Sequence, residues 1–234
     1  MPERQCPTLQ SFSAGTMQFL EELAINNQRP WFESNRHRYE SDLLDPALSF
    51  IEHMGPGLER ISSRFVAIPK RTGGSLMRIY RDARFARDKT PYKTNIGIQF
   101  RHERGRDVHA PGFYVHIEPG RCFLGAGIWH PASQPLAAIR SHIVEQGKTW
   151  QRASNNKLFR EYFEFGGSRL QRPPRGFAPD ATHLEDLKRK DFIACCPIND
   201  KQVLAKDFSV LVAQRFRATK PLMAFLCAAL NLQF

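Results

Sequence analysis

The spacing of apolar residues changes twice along this chain of 234 residues, and this change constrains the fold more than any other feature. Up to about residue 65, apolar side chains recur every three to four residues, as Met17, Leu20 and Leu23 do, which is typical of amphipathic helices. Between about residues 65 and 129 they lie in short runs separated by Gly or Pro, which is typical of β-strands. The helical spacing then returns. This order of helices, strands and helices predicts an α+β fold.

The predicted strands form one group. They cover residues 65–69, 76–82, 95–101, 112–118 and 122–129, with a further strand at 191–197. The turn sequence Glu118-Pro119-Gly120-Arg121 joins two of them as a hairpin, and short connections favour antiparallel pairing. We therefore expect one antiparallel sheet of about five strands, packed by N-terminal and C-terminal helices. Residues 13–234 would form this single α+β domain after an N-terminal extension of residues 1–12.

Helices are predicted on both sides of the strands. The N-terminal ones begin after Ser13, at Pro30, and at Asp45-Pro46, the last with a kink or break at Gly55-Pro56-Gly57. The C-terminal ones cover residues 133–145, 157–165, 182–190 and 204–217, and a last helix follows Pro221.

Several classes of protein are excluded by short patterns. The N-terminal residues lack the basic-then-apolar start of a secretory signal, and the longest apolar run, residues 222–230, is far shorter than the roughly 20 residues of a membrane span. The five cysteines show no CxxC spacing, which argues against a disulfide framework and a structural zinc site. No P-loop, dinucleotide-binding or nucleophile-elbow motif identifies a cofactor or a reaction. We expect a cytoplasmic protein with reduced thiols, no membrane contact and no metal.

The positive charge of the chain is concentrated in one segment. The net charge is +11, yet residues 60–106 alone carry +10, whereas residues 1–59 carry −5. A basic cluster indicates an anionic partner, and a solvated basic surface is the alternative interpretation.

The densest basic stretch is residues 78–93. Its basic side chains are Arg78, Arg81, Arg84, Arg87, Lys89 and Lys93. Guanidinium groups bind phosphate or carboxylate oxygens in pairs, so this set predicts an anion site. Asp82 lies among these bases, which should lower its pKa and make it an orienting carboxylate. The alternative is an Arg–Asp network that ties the segment to the N-terminal helices.

A second candidate site lies on the strand at 112–118. Alternation places Tyr114, His116 and Glu118 on one face, and a tight hairpin would place Gly125 and Gly127 opposite them. These glycines would leave room for a ligand or for the Tyr114 ring. His116 and Glu118 would share a proton or a metal, or form a hydrogen-bonded structural pair.

A third set, Trp31, Phe32, Asn35, Arg36 and Tyr39, is interpreted mainly as amphipathic core. A surface on which a ligand stacks is the alternative interpretation.

The segment 78–93 resembles the signature Arg-x-x-Arg-Asp-x-Arg-Phe-x-x-x-Lys-x-Pro-Tyr-Lys of a mainly bacterial family, domain of unknown function 2461. Every fixed position of the signature is present: Arg78, Arg81, Asp82, Arg84, Phe85, Lys89, Pro91, Tyr92 and Lys93. Asn26-Asn27, Trp31-Phe32, residues 112–120 and residues 174–177 also resemble the family, so the likeness extends over roughly residues 13–230. It implies a single cytosolic domain and the importance of the basic segment, but no reaction, cofactor or catalytic residue.

Three functions remain open from the sequence. The first is a pocket for a phosphorylated or carboxylated small molecule, bound by Arg78, Arg81, Arg84, Lys89 and Lys93. If this pocket is catalytic, Asp82 would orient the bases, and Tyr92 or His116 would be the nearest proton donor. The second is a nucleic-acid-binding domain that uses residues 60–106. The third is a structural or partner-binding protein without catalysis.

Overall fold

The computed structural model describes residues 11–82, 84, 87–105 and 110–234. Most of the predicted extension, Cys6, and Phe85 and Arg106 of the basic segment lie outside these residues.

The centre of the fold is a five-stranded antiparallel sheet. Its strands are β1 (Ile96–Arg101), β2 (Gly112–Ile117), β3 (Phe123–Ile128), β4 (Glu164–Phe165) and β5 (Phe192–Pro197), in the spatial order β1-β2-β3-β5-β4. All neighbouring pairs are antiparallel, so the α+β fold and the sheet are confirmed. The β2–β3 turn forms as predicted, with Arg121 N donating to Glu118 O at 2.8 Å. Gly120 has φ +72° there, a conformation that glycine adopts without strain.

Two of the predicted strands, 65–69 and 76–82, are wrong. Phe65, Leu76 and Tyr80 make only isolated bridges to other segments. Met77 N still donates to Gly97 O of β1 at 2.9 Å. The chain then passes the first residue of β1, so it has no continuous strand to pair with, and its backbone hydrogen bonds are made with Pro91 and Lys93.

Helices flank the sheet in sequence on both sides. The N-terminal elements are α1 (Ala14–Ile25), α2 (Arg29–Ser34), α3 (Arg36–Arg38), a π-helical segment (Tyr39–Leu44) and α4 (Asp45–Glu59). The C-terminal helices are α5 (Ser133–Glu145), α6 (Gly147–Ser154), α7 (Lys157–Tyr162), α8 (Leu184–Leu187), α9 (Asp200–Val203), α10 (Phe208–Ala218) and α11 (Lys220–Ala229).

Several helix boundaries differ from the prediction. The helix predicted at 157–165 ends at Tyr162 because Glu164 and Phe165 pair with β5. The one predicted at 182–190 shrinks to α8, and the one predicted at 204–217 begins later, as α10 at Phe208. Two helices, α6 and α9, were missed. The helix α4 continues through Gly55-Pro56-Gly57, where a Cβ added at Gly57 would lie 2.9 Å from Ala213 of α10. This close packing, rather than local propensity, decides the conformation there.

The sheet has one core face and one polar face. On the core face, Phe100 packs 6.5 Å from the ring of Phe50 in α4, and Phe113 packs 4.7 Å from Phe216 in α10. Tyr114 and His116 lie on the other face, where Tyr114 is opposite Gly125. Among the described residues, no helix is both long and apolar enough to cross a membrane.

Candidate functional site

The basic signature folds into a short irregular hairpin that is anchored to the N-terminal helices. Lys93 N donates to Ile79 O at 2.7 Å, and Arg81 N donates to Pro91 O at 2.9 Å. Asn27, in the turn between α1 and α2, donates from Nδ2 to Tyr92 O at 3.0 Å and accepts from Tyr92 N at 3.0 Å. The two hydrogen bonds fix the hairpin against the start of α2. This contact explains why Asn27 and the basic segment occur together in the sequence pattern.

Three aromatic rings form a cluster between the core and the surface of this hairpin. The rings of Phe32 and Tyr92 are stacked, with centroids 4.1 Å apart and planes 16° apart. The Tyr80 ring packs against both, 5.4 Å from Tyr92 and 6.4 Å from Phe32, and is tilted by 46° and 55° to their planes. Phe32 and Tyr92 are buried, at 0% and 2% exposure, whereas Tyr80 is 50% exposed. Burial raises the pKa of Tyr92, so its phenol stays protonated at neutral pH.

A pocket of about 400 Å³ lies between this hairpin and α2. It is lined by Arg29, Glu33, Tyr80, Arg81, Lys89, Pro91 and Tyr92. Its one lining acid, Glu33, is bound by Arg36, whose Nη2 lies 2.7 Å from Oε1 and whose Nε lies 3.0 Å from Oε2. These hydrogen bonds lower the pKa of Glu33. The charge of Glu33 is therefore compensated by Arg36, so this acid does not offset the charges of the cations that line the pocket.

Arg81 is held in the pocket by the loop that follows it. Its Nη1 contacts the carboxylate of Asp88 and the hydroxyl of Thr90. The hydrogen bond from Arg81 lowers the pKa of Asp88 to about 2, with help from the backbone N of Thr90 at 2.9 Å. Both contacts use Nη1, so Nε and Nη2 have no partner among the described residues. Those two donors match the paired geometry of a phosphate or carboxylate.

Asp82 and Arg84 form a separate pair. Arg84 donates from Nε and Nη2 to the two oxygens of Asp82 at 2.8 and 2.6 Å. These hydrogen bonds lower the pKa of Asp82 to about 2, in the direction the sequence predicted. The side chains are 59% and 77% exposed, and neither lines the pocket. Asp82 therefore orients Arg84 rather than the cations of the pocket.

Arg78 and Lys93 lie near each other and also outside the pocket. Burial lowers the pKa of Lys93, and the charge of Arg78 lowers it further. Within the part of the chain that the structure describes, no carboxylate lies within 4.0 Å of either side chain. Of the five predicted anion ligands, the structure thus brings only Arg81 and Lys89 together in one pocket, and it places Arg78, Arg84 and Lys93 elsewhere on the same segment.

The second candidate site forms a hydrogen-bonded relay on β2. The Tyr114 hydroxyl lies 3.0 Å from His116 Nδ1, and His116 Nε2 lies 3.2 Å from Glu118 Oε2. Because the carboxylate accepts, Nε2 carries the proton and Nδ1 accepts from the phenol. Burial lowers the pKa of His116 despite its hydrogen bond to Glu118, and burial raises the pKa of Tyr114 to about 12. Both groups are therefore neutral at pH 7. Such a chain can pass a proton between the phenol and Glu118.

The relay is packed tightly into the polar face of the sheet. The imidazole of His116 is 8% exposed and stacks on Phe123, with centroids 4.6 Å apart. A Cβ added at Gly97 would lie 2.9 Å from the Tyr114 hydroxyl, and one at Gly125 would lie 3.4 Å from Tyr114 Cβ. Gly97 and Gly125 therefore accommodate the Tyr114 ring, which is one of the two roles expected for Gly125. No cluster of three or more metal-ligating side chains occurs among the described residues.

Sequence reasoning did not identify three of the residues that line the pocket. Arg29 and Glu33 lie outside the basic segment, in α2, and Tyr80 occupies a variable position of the signature. They join the site through the packing of α2 against the hairpin. The aromatic set at Trp31, Phe32 and Tyr39 was the one signal that pointed to this region.

Comparison with known families agrees with this architecture. The family model described as "Conserved hypothetical protein (DUF2461)" matches residues 15–225. The chain belongs to the DUF2461 family. The match contains both the hairpin pocket and the relay. No curated protein and no solved structure gave a significant match. The function of this DUF2461 protein is therefore argued from the geometry of its sites.

Proposed function

We propose that this DUF2461 protein binds an anionic small molecule, phosphorylated or carboxylated, in the pocket between the hairpin and α2. The observation that carries the proposal is the set of three cations, Arg29, Arg81 and Lys89, around one cavity of about 400 Å³. That volume is within the usual range of small-molecule sites, roughly 300–1,000 Å³.

The charge balance of the pocket supports an anion. Arg81 keeps two donors for a ligand, and Arg29 lies at the first position of α2. The acid that borders the cavity, Glu33, is already engaged by Arg36. Arg29 and Lys89 add positive charge to the same cavity beyond the Arg81–Asp88 pair, and this charge would attract an anion with several oxygens.

The pairing of the basic segment favours a discrete site over a broad polyanion surface. Within residues 60–106, Arg64 pairs with Glu103 at 2.7 Å, and Arg71 approaches Glu40 at 3.4 Å. The Arg81–Asp88 and Arg84–Asp82 pairs neutralise further charge. Four of the 13 basic side chains of this segment are therefore paired with carboxylates, three of which already enter the net +10.

The test is calorimetric titration with a panel of phosphorylated and carboxylated metabolites. A ligand of the pocket should bind the wild type. Arg29→Ala or Lys89→Ala should weaken the affinity for that ligand about tenfold or more, because each substitution removes a charge-assisted hydrogen bond. Arg172→Ala and Lys201→Ala are matched controls, since both remove an exposed cation outside the pocket, and binding should be unchanged.

Two results would contradict the proposal. One is that no member of the panel binds, or that the pocket and control variants bind alike. The other is tight binding of a short single-stranded DNA whose affinity falls steeply with salt, which would indicate the nucleic-acid function instead.

A further inference from the structure

The aromatic cluster includes one half-exposed ring that lines the anion pocket. Phe32 and Tyr92 stack on each other, and the tilted Tyr80 ring packs against both at the wall of the cavity. Tyr80 is 50% exposed, and among the other large aromatic side chains of the described residues only Trp129 is exposed to the same extent.

Tyr80 is held in place by its neighbours in the site. Its ring packs against Tyr92 and Phe32. The pKa of Arg36 is raised by the carboxylate of Glu33 and, second to it, by the hydroxyl of Tyr80. Arg36 is in turn fixed by Glu33. A ring that is positioned in this way loses little conformational entropy when a flat ligand stacks on it.

The cations lie on the same cavity as this ring. Arg29, Arg81 and Lys89 line the pocket together with Tyr80, so one ligand can contact the aromatic surface and the charged groups at once. An anion without a ring would leave the Tyr80 face in water. An aromatic molecule without an anionic group would gain nothing from the positive charge of the cations.

We infer that the ligand combines a flat aromatic ring with an anionic group, which makes nucleoside phosphates its chemical class. The base stacks on the exposed part of the Tyr80 ring, while the phosphate oxygens accept hydrogen bonds from Arg81 and the other two cations. This inference rests on the proposed function, because it specifies the ligand of the same pocket.

The experiment compares four probes by calorimetry: adenosine monophosphate, ribose 5-phosphate, adenosine and inorganic phosphate. For the wild type, adenosine monophosphate should bind at least about tenfold more tightly than ribose 5-phosphate, since stacking of a base on an aromatic side chain contributes about this factor or more. Adenosine and inorganic phosphate should each bind more weakly than adenosine monophosphate.

Variants of Tyr80 separate stacking from charge. Tyr80→Leu should weaken the binding of adenosine monophosphate about tenfold and leave the binding of ribose 5-phosphate unchanged. Tyr80→Phe keeps the ring, so its affinity for adenosine monophosphate should stay within about threefold of the wild-type value. Trp129→Leu, which alters a half-exposed aromatic outside the pocket, is the matched control and should bind like the wild type. A melting curve for each variant confirms that it is folded.

The failures of the two proposals are distinguishable. Equal binding of adenosine monophosphate and ribose 5-phosphate, with no effect of Tyr80→Leu, would overturn the nucleoside inference and leave the anion pocket standing. If neither phosphate binds, or if Arg29→Ala has no effect on either, the proposed function fails as well. Binding of a single-stranded decanucleotide much tighter than that of adenosine monophosphate would also overturn the inference, because the ligand would then be a polymer.

Discussion

The hairpin pocket and the Tyr114–His116–Glu118 relay both bring polar side chains together, but in opposite environments. In the relay, a phenol, an imidazole and a carboxylate are joined by hydrogen bonds, and sheet packing surrounds them. In the pocket, Arg29, Arg81 and Lys89 face a solvent-filled cavity. The difference is that partners within the chain already satisfy the relay, whereas in the pocket Nε and Nη2 of Arg81 have no partner among the described residues.

The two tyrosines of the hairpin, Tyr80 and Tyr92, differ in how deeply they are buried. We expect the largest effect on the free energy of unfolding from substitutions at this pair. Tyr92→Ala removes a fully buried ring stacked on Phe32, so it should lower the free energy of unfolding by about 3–5 kcal/mol. Tyr80→Ala should cost far less, because Tyr80 is half exposed. Urea unfolding of both variants measures this difference. Equal losses would show that Tyr80 is part of the core and is not a free stacking surface.

High pH should reveal the buried phenol of the relay. The pKa of Tyr114 is raised from 10.0 to about 12, so the folded state favours the protonated phenol. The stabilisation that comes from this protonated phenol is on the order of 2 kcal/mol. It is complete below pH 10 and is lost as the pH rises towards 12. The stability of the wild type should therefore fall more than that of Tyr114→Phe between pH 9 and pH 11.5, as followed by urea unfolding. Parallel curves for the two proteins would indicate a solvated phenol.

Low pH should reveal the buried imidazole. The pKa of His116 is lowered from 6.5 in the folded state, so the unfolded chain binds the proton more readily. Stability is then lost as the pH falls below about 6.5, and His116→Gln removes this loss. Between pH 7.5 and pH 5.5 the wild type should lose more stability than the variant. An identical loss in both proteins, or a smaller loss in the wild type, would contradict a buried neutral histidine.

The smallest effect is expected at the exposed pair of the hairpin. Asp82→Ala removes an ion pair that is mostly in water, so the melting temperature should change little. Differential scanning calorimetry measures this, with Arg172→Ala as the surface control. A sharp drop in melting temperature for Asp82→Ala would instead favour the structural Arg–Asp network that the sequence left open.

The spacing of apolar residues along the sequence was sufficient to predict the helices and the sheet that form the layers of this fold. The alternation at 112–118 placed Tyr114, His116 and Glu118 correctly on one face because the hairpin register fixes every side chain along β2. The segments 65–69 and 76–82 have the same β-rich composition, yet they are not strands, since strand formation requires a continuous neighbour to pair with. That requirement is not visible in a local window of sequence.

The candidate site was predicted only in part for a similar reason. The signature identified Arg81, Lys89 and Tyr92, which are close together in sequence and remain close in the hairpin. Arg29 and Glu33 reach the same cavity from α2 through a packing contact that includes Asn27. Conversely, Arg78, Arg84 and Lys93 belong to the same basic cluster but lie outside the cavity. The sequence could not exclude them, because a dense run of charge does not specify the direction of each side chain.

The central claim, that the hairpin pocket and not the relay is the ligand site, is tested most directly by nuclear magnetic resonance. Two-dimensional amide correlation spectra would be recorded during a titration with adenosine monophosphate. The account predicts that the signals of residues 29–33, 80–81 and 89–92 shift with saturation, while those of residues 114–118 stay in place. Shifts confined to residues 114–118, or no shift at the hairpin at saturating ligand, would contradict it.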